Sequence, residues 1–352
     1  MIAMLMTLSM LAASLAGCLG GDDWEADPAD DLSADIVTSA WEPIIPNLND
    51  GEMCDAIISA MTKTDVREQA VDFTRGYYTS SQGVIGAAGS ASISDVSELN
   101  AAGTTIAVQS GTTSDLYAQD NLGMATIVAY DDFPSVTAAV SNGEADYAMG
   151  DSPVLALSGD LMTTFSDETF GIALPGTDDA DEDRDTELLD ALNVAITAIV
   201  DSGEYDAIFG EWFEGAVVLT DDRDANTATS YPELTEGSSL TAVLEAGSLR
   251  FCSDTAYPPF ESLDENGNAV GFDVDIANAL VDEIAAHYMG TDNPMFEGSP
   301  AVTIKLGFLN DASGPISQFA APFTFAWGAA MADLNAMGDD YVFEVIEADS
   351  GC

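Results

Sequence analysis

Positive charge is what this chain most lacks. Seven Lys and Arg stand against 62 Asp and Glu, a net charge of −55. Nucleic acids and anionic membrane surfaces are bound through cationic patches, so neither is an expected partner. Histidine is almost absent too: His287 is the single one. The four cysteines, Cys18, Cys54, Cys252 and Cys352, form no CxxC pair. A zinc centre or a Cys–His nucleophile therefore has little to build on, and neither a metal nor a cofactor is expected. Cys54 and Cys252 fall in short apolar segments and read as small core residues. The apolar stretch at residues 2–17 is too short for a membrane span.

What is present is enough for a folded chain of two or three domains. Of the 352 residues, 47% are hydrophobic, sufficient for a sizeable core. The acid excess implies a solvated anionic shell, as in proteins of salty surroundings, and its self-repulsion calls for screening by salt. Residues 2–17 suit the apolar region of a signal peptide, although no Lys or Arg precedes them. Leu15-Ala16-Gly17-Cys18 resembles a bacterial lipobox, which would make Cys18 a lipidated residue and anchor the protein to a membrane. Residues 19–34, acidic and Gly-containing, read as a flexible tether.

The scarce cations are not scattered. Three of the seven, Lys63, Arg67 and Arg75, fall within Asp55–Tyr78, DAIISAMTKTDVREQAVDFTRGYY. Ala56-Ile57-Ile58 reads as a buried strand and is followed by a polar turn rich in hydroxyls. Arginine just past a strand end presents a planar fork matched to a carboxylate. The pattern strand, Ser-x-Met-Thr-x-Thr-x-x-Arg, Val-Asp-Phe, Tyr-Tyr resembles the extracellular solute-binding proteins of family 3, the amino-acid receptors of ABC importers. That resemblance implies an α/β, periplasmic-binding-protein-like fold: two lobes, each a mostly parallel sheet flanked by helices, joined by hinge strands.

The resemblance continues through residues 35–215 and implies roles for particular residues. Trp41, after a strand at 35–39, matches an aromatic that stacks on the ligand; a plain core tryptophan is the alternative. Arg67 and Thr62 match the carboxylate grip, and the backbone near Ala60 a contact to the ammonium. Thr113, in the turn Gly111-Thr112-Thr113 before a helix, matches a second hold on the carboxylate. A helix N-terminus favours anions, and helix capping by Thr112 or Thr113 is compatible with that role. Asp151 ends an apolar strand, where an unpaired charge is costly, and matches the acid that pairs the ammonium. Glu187–Val200 has a helical apolar face, and Tyr205, Ile208, Phe209, Trp212 and Phe213 read as core.

One piece of the family pattern is out of place. A domain of this kind opens with a strand and helix, and there is no room for them between Cys18 and Asp35. The expected opening occurs later, at Leu249–Glu261 and Val270–Ala277, as LRFCSDTAYPPFE and VGFDVDIA. Two arrangements are compatible with this. Residues 240–287, reached by a linker at 216–239, fold back onto 35–215, or they begin an unfinished second copy. Folding back would pair an otherwise orphaned strand and bring Asp254, as a side-chain contact, and Tyr257, as a second stacking ring, to the cleft. Beyond a linker at 288–300, residues 301–352 read as strand, helix (319–337) and strand. They resemble the opening of a branched-chain amino-acid receptor, and no site is expected there.

The function implied is capture of a small amino acid outside the cell by a lipid-anchored monomer that delivers it to an ABC permease. A dehydratase on the same fold, a non-binding remnant and a sensory module are the alternatives.

Overall fold

A computed structural model describes residues 32–176, 185–215, 219 and 227–289, and the backbone of 302–310 and 341–349. The expected anchor at Cys18, the helix at 319–337 and Cys352 lie outside the described residues. The chain divides into two compact units, 1–284 and 285–352.

The first unit runs β1 (Ser33–Thr38), α1 (Ile44–Asn49), β2 (Ala56–Ile57), β3 (Val71–Gly86), β4 (Thr105–Gln109), α2 (Thr113–Asn121), β5 (Thr126–Tyr130), α3 (Phe133–Ser141), β6 (Tyr147–Asp151), α4 (Ser152–Leu155) and β7 (Thr163–Pro175). It continues through α5 (Glu187–Ser202), α6 (Glu204–Trp212), α7 (Ser239–Ala246), β8 (Ser248–Ser253), β9 (Ala256–Tyr257), β10 (Glu261–Leu263), β11 (Ala269–Val270) and α8 (Phe272–Tyr288). In the second unit, β12 (Val302–Asn310) pairs in parallel with β13 (Tyr341–Asp349).

Eight strands form one sheet in the order β1-β8-β2-β7-β3-β6-β4-β5. Pairing is parallel at its two ends, β1–β8–β2 and β6–β4–β5, and antiparallel in the middle, where β7 and β3 meet. This is two mostly parallel lobes joined by two long strands. β3 and β7 slip register at Phe73/Gly76, Gly76/Tyr78 and Ser81/Gln82. Such irregularities bend and twist a strand, which suits a crossing between lobes.

The strand at 248–253 lies between β1 and β2, with Ile36 beside Phe251 and Ile57 beside Cys252. Aromatic packing seats the same segment: Phe260 and Phe272 surround Tyr78 at ring distances of 4.9 and 5.6 Å. Phe213 lies 5.4 Å from Phe260 and 5.2 Å from Phe272. The Trp212 indole also donates to Asp275 at 2.6 Å. Of the closing aromatics Tyr205 is buried, while Phe209, Trp212 and Phe213, expected as core, are half-buried and bind the late segment to the hinge.

Cys54 and Cys252 correct the sequence expectation. They are not free core thiols but a disulfide across 198 residues, with Cα atoms 5.6 Å apart. Each was legible as buried, and both are. Their partnership depends on β8 inserting beside β2, a non-local pairing that no local pattern encodes. In the second lobe, Val84, Ile106, Val108, Tyr147 and Met149 pack with Leu99 and Leu122 into a separate core. The cleft lies between these cores, over the strands' carboxyl ends.

Candidate functional site

All eight residues that the sequence singles out line one cavity: Trp41, Ala60, Thr62, Arg67, Thr113, Asp151, Asp254 and Tyr257. The cavity is narrow, with about 20 Å³ of free volume. Ser59, Gln109, Thr112 and Glu261 complete its wall.

The turn after β2 sets the first lobe's contribution. Thr62 bridges to Phe170 of β7 in an isolated antiparallel contact, and the Lys63 amide donates to the Thr169 carbonyl at 2.9 Å. The turn is thereby tied to the hinge. Ala60 takes a left-handed φ of +44°, uncommon for a residue with a Cβ. Its amide points to Asp273, donating at 2.7 Å. Arg67 opens a short 3₁₀ turn, and its Nη1 donates to the Thr62 carbonyl at 2.7 Å. Its guanidinium carbon sits 5.0 Å from the centre of the Trp41 ring. That is a cation–π distance. Among the described residues no carboxylate lies within ion-pair distance of Arg67. Burial draws the Arg67 pKa down, opposed by the negative charges of Glu168 and Asp151. A half-buried guanidinium with no ion pair is suited to an incoming carboxylate.

The second lobe faces it with α2 and the end of β6. Thr112 caps α2, its Oγ1 accepting from the Asp115 amide at 3.3 Å, so Thr113 Oγ1 is left to point elsewhere. Capping and the role expected of Thr113 thus fall on neighbouring residues. Asp151 closes β6. Its Oδ1 accepts from Gln82 Nε2 at 2.7 Å and its Oδ2 from the Tyr257 hydroxyl at 2.5 Å. Burial, and then the charge of Glu168, push the Asp151 carboxyl up to about 7, against the hydrogen bond from Tyr257 and the charge of Arg67.

The late segment brings the remaining groups. Asp254 follows β8, accepts from Gln109 Nε2 at 3.0 Å, and has its pKa raised chiefly by burial. Tyr257 is expected to stack on a ligand side chain. Its ring lines the cavity and meets Phe133 edge-on at 4.8 Å, and its hydroxyl donates to Asp151 of the other lobe.

Several functional neighbours escape sequence reasoning. Glu261, in the cavity wall, and Asp273 are completely buried. Glu261 accepts from Ser59 at 2.7 Å, and Asp273 from the Ala60 amide and, at 2.8 Å, from the Tyr77 hydroxyl. Glu261 Oε2 and Asp273 Oδ1 have no hydrogen-bond partner among the described residues. Burial raises both pKa values, and the charge of Asp273 raises that of Glu261 further, so the pair is harder to ionise than free carboxyls. Both acids stand inside YPPFE and VGFDVD, where their conspicuous position was the available signal. Glu168 and Gln82, on the hinge strands, carried none, because one acid among 62 does not stand out.

The chain belongs to the bacterial extracellular solute-binding proteins, family 3, whose sequence profile matches residues 26–215 and 249–296. Its relatives include amino-acid-binding proteins. A putative ABC transporter arginine-binding protein 2 of Escherichia coli K12 is 29% identical over 194 residues, 52% of this chain and 76% of that one. A probable histidine-binding protein of Neisseria gonorrhoeae is 30% identical over 187 residues, 49% of this chain and 65% of that one. The ABC transporter glutamine-binding protein GlnH of Bacillus subtilis aligns over 61% of its own length. Among solved structures, an ancestral arginine-binding protein bound to arginine shares 28% identity over 50% of this chain and 78% of its own, with a TM-score of 0.44. An ancestral amino-acid-binding protein described as a precursor of cyclohexadienyl dehydratase shares 30% identity over 50% and 76%, with a TM-score of 0.45.

Proposed function

We propose that the chain captures a cationic amino acid outside the cell and presents it to an ABC permease, held to the membrane by a lipid on Cys18. The observation that carries this reading is the convergence on one cavity of an ion-pair-free guanidinium stacked on Trp41 and, opposite it, the carboxyls of Asp151 and Asp254. Arg67 takes the ligand's carboxylate, with Thr62 and Thr113 as hydroxyl donors. Asp151 takes the ammonium, Trp41 covers the side-chain stem, and Asp254 meets its distal charge. The acid excess of the lining favours a ligand with net positive charge, and the arginine- and histidine-binding relatives support the same class. Contacts drawn from both lobes exist together only when the lobes are closed, so the ligand stabilises the closed form. The Cys54–Cys252 disulfide suits an oxidising, extracytoplasmic setting.

Calorimetry with L-arginine, L-lysine, L-histidine and L-glutamine tests this. The wild type should bind at least one of the cationic ligands. Arg67→Ala should weaken that binding by about thirtyfold or more, the ~2 kcal/mol of a truncated charge pair. A wild type that binds none of the four would overturn the reading. One observation favours a second one: Asp151, with its pKa near 7, could donate a proton in a dehydratase-like reaction. Product formed from a prephenate-like substrate would identify that activity.

A further inference from the structure

The carboxylate cradle proposed above already holds a carboxylate, and it belongs to the protein. Glu168 lies on hinge strand β7 and is buried, 7% exposed. Its Oε2 accepts from Thr62 Oγ1 at 2.5 Å, from Thr113 Oγ1 at 3.2 Å and from Gln82 Nε2 at 3.0 Å. Thr62 and Thr113 are the two hydroxyls assigned to the ligand's carboxylate, one from each lobe. Gln82 connects Glu168 to Asp151, donating to both, and its carbonyl end accepts from Ser114 on α2. The negative charge of Glu168 also acts on Arg67 and Asp151.

We propose that Glu168 is an internal occupant of the carboxylate cradle and thereby a specificity-determining residue. It weakens the hold on an α-carboxylate and so narrows the margin by which an amino acid is preferred over the cationic amine that lacks one. The inference rests on the amino-acid-receptor reading of the same cleft. An amino acid must displace the Glu168 carboxylate from both threonines before its own can take three-sided support from Arg67, Thr62 and Thr113. The displaced carboxylate then lies beside the incoming one, two like charges sharing a single guanidinium. A decarboxylated analogue avoids this conflict. Its amine pairs with Asp151 and its distal cation with Asp254, while Glu168 stays in place and bridges the lobes as the ligand's carboxylate would.

Agmatine is L-arginine without its carboxylate, so the ratio of their dissociation constants isolates the effect. Both are titrated calorimetrically into the wild type, Glu168→Ala and Glu168→Gln. Glu168→Gln keeps the side chain's bulk while removing its charge, and so guards against a packing defect in the alanine variant. In both variants the preference should move toward L-arginine by about tenfold or more, the worth of one charge-assisted hydrogen bond. The gain in L-arginine affinity should account for at least part of it. A ratio unchanged in both variants, or moved toward agmatine, would overturn the inference while leaving the receptor reading intact. Failure of wild type and variants alike to bind either ligand would overturn both. A wild type that binds agmatine but not L-arginine, with L-arginine binding gained in Glu168→Ala, would support an occupant strong enough to exclude it.

Discussion

In the proposed reading, Asp151 makes the affinity of the cleft depend on pH in the neutral range. Its carboxyl titrates near pH 7 in the empty site because burial and Glu168 oppose its charge. Only the ionised form can pair with an ammonium, so ligand binding must displace the proton. For one linked group the apparent dissociation constant rises by the factor 1 + 10^(pKa − pH). With a pKa of about 7 that factor is about 1.1 at pH 8, about 2 at pH 7 and about 11 at pH 6. Affinity should therefore fall about tenfold between pH 8 and pH 6, and about half a proton should be released per ligand at pH 7. Other charges face the same point: Arg67 and Glu168 through their fields, and Tyr257 and Gln82 through hydrogen bonds. Their directions are opposed, which is why the shift is large without being complete. Calorimetry in phosphate and in Tris measures the released proton directly. Asp151→Asn should flatten the profile and lower affinity at pH 8. An affinity constant between pH 6 and 8 in the wild type, with no buffer dependence of the binding heat, would refute the assignment of Asp151 to the ammonium.

The same raised carboxyls bear on stability, with a sign opposite to the usual surface acid. A group whose folded pKa is raised stabilises below its ordinary value, near 4, and loses that contribution as pH climbs through the folded value. Ligand-free protein should thus melt higher at pH 5 than at pH 8 in molar salt, with Asp151 contributing at most about 3 kcal/mol over that interval and the Glu261–Asp273 pair acting in the same direction. A melting temperature that rises from pH 5 to 8 would contradict the buried-acid assignment. Reduction of Cys54–Cys252, or Cys252→Ser, should lower stability by as much as about 5 kcal/mol on the chain-entropy account of so long a loop, read by urea denaturation with and without reductant. An unchanged midpoint would show that the bond is not formed. Because the net charge is −55, the melting temperature should climb between low and molar salt; a fall would count against self-repulsion as a main destabilising force.

What was readable in advance followed from local chemistry. The strand before Arg67, the Gly-Thr-Thr turn and the acid at the end of β6 each announce themselves through a change from apolar to polar residues at a strand terminus. Those positions are where open α/β sheets place ligands. Glu168 was not readable, because its significance comes from register. β7 runs beside β3, which places residue 168 between Thr62 and Thr113, contributed by different lobes and 51 positions apart in the chain. The disulfide was hidden for the same reason. Tyr257 is expected for its ring; its hydroxyl bond to Asp151 was not readable, because sequence cannot orient it.

The cleft's charge balance connects these observations. Its wall carries one guanidinium against the carboxyls of Asp151, Asp254 and Glu261, with Glu168 directly behind. Ionising all four without a partner cation would be costly in a buried space. The empty site meets that cost in three ways. Burial holds the Asp151 carboxyl up near 7, burial and the charge of Asp273 raise Glu261, and Glu168 spends its charge on two hydroxyls and an amide. A zwitterionic ligand brings no net charge and must compete with Glu168. A ligand with an extra positive charge lets Asp151 and Asp254 ionise against it. In the proposed reading, the ligand is therefore selected by how completely it replaces these internal arrangements. Proton release on binding and the selectivity change at Glu168 are two measures of one electrostatic exchange. If Asp151→Asn abolished the proton release while Glu168→Gln left selectivity unmoved, that common origin would have to be abandoned, with the two acids then acting independently.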